Sequence, residues 1–106
     1  FTWLSKNIQD DKSMAQACWK ACQEKIRSGE YDIVIMDEAT YPMNFGWVPV
    51  QEVIETLRNR PGGLHVIITG REAPQELIEF ADLVTEMREI KHPYKRGVKA
   101  QRGLDF

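Results

Sequence analysis

The segment that most constrains the fold of this chain is Ile33–Glu38, which reads IVIMDE. Four consecutive apolar side chains leave neither face of a strand polar, a pattern typical of a strand buried inside a parallel sheet. Two acids, Asp37 and Glu38, follow directly. The carboxyl ends of such strands are where α/β folds place their ligand sites. Both carboxylates are therefore well placed to hold a Mg²⁺ ion that carries nucleotide phosphates, as in a Walker B element.

The partner of such an acid pair, a glycine-rich phosphate loop, is not found in the 106 residues. That loop would read G-x-x-x-x-G-K-[ST], and no segment here matches it. The chain also begins at Phe1 rather than at Met, which suggests a piece of a longer polypeptide. We expect an N-terminal strand and a phosphate loop, both missing here, to complete the fold.

Apolar periodicity alternates between helical and strand-like segments along the chain. The pattern predicts helices over 12–28, Val50–Leu57 and Pro74–Ala81, and strands over 32–37, 65–69 and 83–87. Residues 39–49 are predicted to form a loop, because they are dense in aromatic residues and turn formers. This order favours right-handed parallel crossovers. We therefore predict one α/β domain over residues 1–106, with a three-layer parallel sheet of the P-loop NTPase type.

Composition and charge restrict the cellular context. No apolar stretch approaches the roughly 18 residues of a membrane span, and no basic-then-apolar leader opens the chain. Residues 1–86 carry a formal charge of −6 and residues 87–106 a charge of +4. The basic tail, residues 91–106, fits either an anionic partner or a solvated surface. We expect no nucleic-acid and no membrane partner.

Two cysteines, Cys18 and Cys22, lie four residues apart on one predicted helix face. They are too few for a disulfide framework, and a zinc site would need two more ligands. We interpret them as small buried hydrophobes in a reducing cytoplasm, so we expect a cytoplasmic protein.

Polar residues follow each of the three predicted strands. They are Asp37-Glu38, Thr69-Gly70-Arg71, and Glu86 with Arg88. Parallel topology would bring all three groups to one edge of the sheet. There the acids could ligate Mg²⁺ or act as a base, and Arg71 could neutralise phosphate charge. Helix capping and surface ion pairing are the alternative reading of the same residues.

Aromatic residues raise a second question. Phe1 and Trp3 flank Thr2, while Tyr41, Phe45 and Trp47 fall in the predicted loop. From composition alone such residues are core or unstructured, and the alternative is that they stack on a flat ligand.

Several segments together match one known family, in order and over essentially the whole chain. They are Phe1-Thr2-Trp3, Ile33–Glu38, Arg60-Pro61, His65–Arg71, Ala81–Arg88, Lys91-His92-Pro93, Gly97–Gln101 and Gly103–Phe106. On these motifs the chain resembles the ATP:corrinoid adenosyltransferases, in the dimeric class that carries a phosphate loop. In that family the loop lies upstream of the segment that matches Phe1-Thr2-Trp3.

The resemblance implies transfer of the 5′-deoxyadenosyl group from ATP to the cobalt of a reduced corrinoid, with release of triphosphate. It places Phe1 and Trp3 on the corrinoid side, where such aromatics keep the lower base off cobalt. It makes Asp37 and Glu38 the Mg–ATP acid pair. Arg71, with Thr69 and Gly70, becomes a phosphate contact. It also implies a homodimer and a flavoprotein reductant.

Reduced cobalt is itself a strong nucleophile, so this chemistry requires none from the protein. No nucleophilic catalytic residue is therefore assigned. Two other functions stay open at this point: an inert corrinoid- or nucleotide-binding module that kept the fold, and a fragment of another P-loop NTPase.

Overall fold

The computed structural model describes residues 8–93. Within them the chain forms the elements α1 (Ile8–Ser28), β1 (Ile33–Met36), α2 (Thr40–Asn44), α3 (Val50–Arg58), β2 (His65–Ile68) and α4 (Gln75–Phe80). The two strands pair in parallel, with Ile33 opposite His65 and Met36 opposite Ile68. The predicted α/β class is confirmed, as is the parallel arrangement of the first two predicted strands.

Helix α1 is longer than its periodicity predicts, because it begins at Ile8 instead of residue 12. Asp10 and Asp11 lie in its first turn, and Lys25 and Arg27 in its last. Acids at the amino end and bases at the carboxyl end both oppose the helix dipole, which favours this extent. The helix ends before Gly29, whose φ of 74° few other residues adopt readily.

Helix α2 corrects the prediction of a loop over residues 39–49. Pro42 suggested a turn, yet it occupies the first turn of α2, where a missing backbone N–H costs no hydrogen bond. The Pro42 carbonyl then accepts from the amides of Trp47 and Val48 at 2.9 and 3.3 Å. The turn-forming residues therefore close a short helix.

Buried side chains from the helices form one apolar cluster against a single face of the sheet. Ile26 of α1 and Val53 of α3 are fully buried at its centre. On β1, Val34 and Met36 point into this cluster, whereas Ile33 and Ile35 are exposed. The prediction that the IVIM run is buried on both faces is wrong for the described residues. The described residues contain no element that covers the second face.

The predicted third strand, residues 83–87, is also absent from the described part of the chain. The sheet there consists of β1 and β2. Residues 81–90 are exposed throughout, with Leu83 84% and Met87 92% accessible. Apolar composition favours an extended backbone, but a strand forms only where a neighbouring strand accepts its hydrogen bonds. Neither β1 nor β2 supplies that neighbour here.

Among residues 8–93, no helix combines the length and the apolar character that crossing a membrane requires.

Candidate functional site

The carboxyl ends of β1 and β2 lie side by side, because the two strands are parallel and in register. Backbone pairing continues just beyond both strands. The Thr69 amide donates to the Met36 carbonyl at 3.1 Å, and the Ala39 amide donates to the Thr69 carbonyl at 3.0 Å. The turns after the two strands are thus joined through their backbones.

The Thr69 hydroxyl joins the same turns through side chains. It donates to Asp37 Oδ1 at 2.7 Å and accepts from the Glu38 amide at 3.0 Å. Glu38 has a φ of 55°, a left-handed conformation that is uncommon for a residue other than glycine. Uncommon backbone conformations of this kind concentrate at binding and catalytic sites. The structure therefore brings Asp37, Glu38 and Thr69 together, as the sequence predicts.

The Gly70-Arg71 turn is held by α2. Thr40 Oγ1 donates to the Arg71 carbonyl at 2.7 Å. Asn44 Nδ2 donates to the Glu72 carbonyl at 3.0 Å and lies 3.4 Å from the Arg71 carbonyl. We call Asp37, Glu38, Thr69, Gly70 and Arg71 the carboxyl edge.

Sequence reasoning missed Thr40 and Asn44. Their spacing of four residues is the only signal in the sequence, and it carries meaning only once residues 40–44 are known to be helical.

The charged side chains of the carboxyl edge are open to solvent. Asp37, Glu38 and Arg71 are all exposed. Within residues 8–93, neither the Glu38 carboxylate nor the Arg71 guanidinium has a hydrogen-bond or ion-pair partner. Among the described residues, the Glu38 and Arg71 side chains are therefore available to bind a ligand.

The oxygen donors of this edge fit a Mg²⁺ ion that arrives with its ligand. No group of three or more His, Cys, Asp or Glu in the described residues could hold a metal on its own. Mg²⁺ is commonly bound through one or two carboxylates together with substrate phosphates and waters. Asp37 and Glu38 can supply those carboxylates, and the phosphates would have to complete the coordination.

A cavity of about 240 Å³ adjoins the acids. Its walls come from α1, the end of β1 and α2, and include Ala15, Cys18, Trp19, Cys22, Met36, Pro42 and Met43, with Asp37 and Glu38 also lining it. The lining is otherwise apolar, so this space suits an uncharged group next to the charged edge.

The cysteines of α1 are less buried than predicted. Cys18 is exposed and Cys22 is half-buried, and both thiols are free. Burial raises the pKa of the Cys22 thiol, the neighbouring Cys18 raises it further, and Lys25 acts in the opposite direction. The prediction of a buried hydrophobe is wrong for Cys18, which is exposed and lines the cavity.

Three aromatic residues in and just after α2, Tyr41, Phe45 and Trp47, pack against each other. Phe45 lies 4.9 Å from Trp47 and 4.7 Å from Tyr41, measured between ring centroids. Gln16 of α1 donates to the Trp47 carbonyl at 3.1 Å. Phe45 remains 55% exposed, so this group is a surface cluster and not part of the core.

Other predicted residues do not join the carboxyl edge. Glu86 and Arg88 lie in the exposed segment that forms no third strand. Phe1 and Trp3, together with residues 94–106 of the basic tail, lie outside the described residues.

Comparison with known proteins identifies the family. The model of the ATP:corrinoid adenosyltransferase BtuR/CobO/CobP family matches residues 1–106. This chain belongs to that family. Its relatives include the corrinoid adenosyltransferases of a Sinorhizobium species at 41% identity and of Salmonella typhimurium at 39%. Another is that of Escherichia coli K12 at 37%.

Each alignment with these relatives covers all of this chain but only 50% of the Sinorhizobium protein and 54% of the other two. The chain therefore spans about half the length of the curated relatives it matches.

Proposed function

We propose that the polypeptide containing this chain transfers the 5′-deoxyadenosyl group of ATP to the cobalt of a reduced corrinoid, releasing triphosphate in adenosylcobalamin synthesis or salvage. The observation that carries the proposal is the family match over residues 1–106. The parallel β1–β2 pair and its adjoining acids are compatible with a P-loop NTPase type of fold. In this proposal the phosphate loop and the strand before it come from sequence outside these 106 residues.

The carboxyl edge is proposed to hold the triphosphate. Arg71 would neutralise phosphate charge, for which its planar fork of N–H donors is suited. Asp37 and Glu38 would hold Mg²⁺, which when bound supplies charge neutralisation for the leaving triphosphate. The Thr69 hydroxyl, bonded to Asp37 Oδ1 at 2.7 Å, would fix the orientation of that carboxylate. Gly70 allows the close approach of the turn to α2.

Phe1 and Trp3 are proposed to face the corrinoid. Aromatic rings stacked below the corrin would keep its lower base off cobalt, which makes the metal easier to reduce. The reduced cobalt then attacks C5′ of ATP, so that a cobalt–carbon bond forms while the C5′–oxygen bond to triphosphate breaks. The cobalt supplies the electron pair of the new cobalt–carbon bond, and the triphosphate leaves with the electron pair of the broken C5′–oxygen bond. The protein has to align the two substrates and exclude water.

The same proposal includes a homodimer and a flavoprotein reductant, both taken from the family resemblance, and the cytoplasmic location expected from the cysteines. Its small-molecule substrates are ATP and a corrinoid. No role is proposed for residues 91–106.

Two variants of the full-length protein separate the proposed corrinoid and nucleotide sites. Trp3→Ala should spare ATP binding and suppress reduction of cobalt, and corrinoid supplied already reduced should bypass much of the defect. Glu38→Ala should impair use of Mg–ATP, and that loss should persist with pre-reduced corrinoid. If Trp3→Ala abolished ATP binding, or lost equal activity with pre-reduced corrinoid, its role would be structural.

The 106-residue chain on its own should not catalyse adenosylation of a corrinoid. Phosphate-loop amides normally cradle the triphosphate, and the sequence contains no such loop. Incubation of the isolated chain with ATP, Mg²⁺, a corrinoid and a chemical reductant tests this directly. Detectable adenosylation would contradict it.

A further inference from the structure

We propose that Thr40 is a positioning residue that fixes the Gly70-Arg71 turn, so that the Arg71 guanidinium is presented to the oxygens of a polyphosphate. The choice of a polyphosphate rests on the function proposed above. The hydrogen bond from Thr40 to this turn does not depend on that choice.

Thr40 is only 2% exposed although it is polar, and it is the first residue of α2. Its hydroxyl donates to the Arg71 carbonyl at 2.7 Å, across 31 positions of sequence. A buried hydroxyl is costly unless it finds a partner, so this bond ties the position of α2 to that of the turn. The turn after β2 is thereby registered against the segment that follows Asp37 and Glu38.

Gly70 makes this contact possible. A Cβ built at position 70 would collide with Thr40 Oγ1 and would lie 2.9 Å from Thr40 Cβ. Gly70 also has a φ of 156°, which L side chains rarely adopt. Any larger residue would have to displace either the turn or the start of α2.

Asn44, four residues further along α2, makes a second hydrogen bond to the Gly70-Arg71 turn region. Its side chain donates to the Glu72 carbonyl at 3.0 Å, and Glu72 has a left-handed φ of 48°. Residues four apart lie on one helix face, so the Thr40 and Asn44 side chains can both hydrogen-bond to the same turn. The backbone on both sides of the Arg71 side chain is fixed, while its guanidinium has no partner among residues 8–93.

This guanidinium stands on a fixed backbone, in a turn whose backbone is hydrogen-bonded to the turn that carries Asp37 and Glu38. That arrangement is suited to bind an anion together with its cation. A fixed backbone matters because binding otherwise has to order the turn, which costs affinity. Thr40 would therefore contribute to phosphate affinity through Arg71 without touching the ligand.

The test uses the full-length protein and inorganic tripolyphosphate with Mg²⁺, with affinity measured by calorimetry. Thr40→Val removes the hydroxyl and keeps the shape, and Thr40→Ser is the matched control that keeps the hydroxyl. We expect Thr40→Val to weaken tripolyphosphate binding about five- to tenfold, the loss of one hydrogen bond, with Thr40→Ser near the wild type. In an Arg71→Ala background, Thr40→Val should have little further effect.

Equal losses from Thr40→Val with and without Arg71 would overturn the inference, as would an unchanged affinity accompanied only by a lower melting temperature. If Thr40→Val fails to fold, Asn44→Ala, an exposed position, should show the same dependence on Arg71. No tripolyphosphate binding by the wild type would also overturn it.

Adenosylation measured on the same samples separates the two proposals. Coupling between Thr40 and Arg71 without adenosylation supports the positioning role and rejects the transferase. Adenosylation without coupling supports the transferase and rejects the positioning role.

Discussion

A single hydroxyl, that of Thr69, connects the turns on which the proposed site depends. It bonds to Asp37 as a donor and to the Glu38 amide as an acceptor. Replacing Thr69 with Val should cost about 1 kcal/mol of unfolding free energy, because both bonds are lost at a solvent-accessible position. Thr69→Ser keeps the hydroxyl and should retain most of that unfolding free energy. Urea denaturation of the two variants gives the comparison, and equal losses for Val and Ser would show that the hydroxyl contributes nothing.

The half-buried thiol of α1, Cys22, should make the stability of the fold depend on pH. Burial, and to a smaller extent Cys18, raise the pKa of Cys22, so the folded chain holds this proton more tightly than the unfolded chain does. The contribution of the protonated Cys22 thiol to stability is therefore present at neutral pH, and it is lost as the pH rises through the folded-state pKa of Cys22. In a Cys18→Ser variant, alkylation of Cys22 followed by mass spectrometry should require a higher pH in the folded protein than in urea. Identical pH profiles would refute this.

At the scale of elements, periodicity predicts α1, α3 and α4, because each buries one regular face. Both strands are predicted from their continuous apolar runs, although only one face of β1 is buried. Periodicity misses α2. Pro42 and Gly46 are turn-forming residues, and the sequence alone does not show the backbone hydrogen bonds that make residues 40–44 a helix. Periodicity also predicts a third strand over residues 83–87, because apolar composition cannot show whether a pairing partner is adjacent.

Helix α3 provides the clearest test of the core. Val53 is fully buried between the helices and the sheet, and Gln51 on the same helix is exposed. Val53→Ala should lower the unfolding free energy by about 2–3 kcal/mol through lost burial and a residual cavity. Gln51→Ala, the matched control, should change it by less than about 0.5 kcal/mol. Equal effects in a denaturation series would place Val53 outside the core.

At the scale of the whole molecule, one sheet face exposes large apolar side chains that no element within residues 8–93 covers. Ile35 is 63% exposed, and its strand partner Ile67 is 48% exposed on the same face. Exposed apolar patches drive association, so the 106-residue chain should bind a hydrophobic dye and self-associate. Ile35→Lys should reduce both effects in light scattering and dye fluorescence, and Gln51→Lys should not. No change with Ile35→Lys would mean that this face is not responsible.

Part of the candidate site follows from sequence alone. The contact of Asp37 with Thr69 could be predicted, because parallel strands place their carboxyl ends together. The hydrogen bonds from Thr40 and Asn44 to the Arg71 turn could not be predicted. They span about 30 positions of sequence and depend on a helix that the sequence pattern did not reveal. The roles of Phe1 and Trp3 still rest on family resemblance.

The central claim is that ATP is cleaved at C5′ and not between its phosphates. The most direct test incubates the full-length protein with ATP, Mg²⁺ and chemically reduced corrinoid, and then quantifies nucleotide products and the cobalt–carbon bond. We predict one triphosphate per adenosylated corrinoid, with no orthophosphate or ADP. ADP and orthophosphate without a cobalt–carbon bond would indicate an NTPase, and unchanged ATP would indicate an inert binding module. Either result would contradict the assignment.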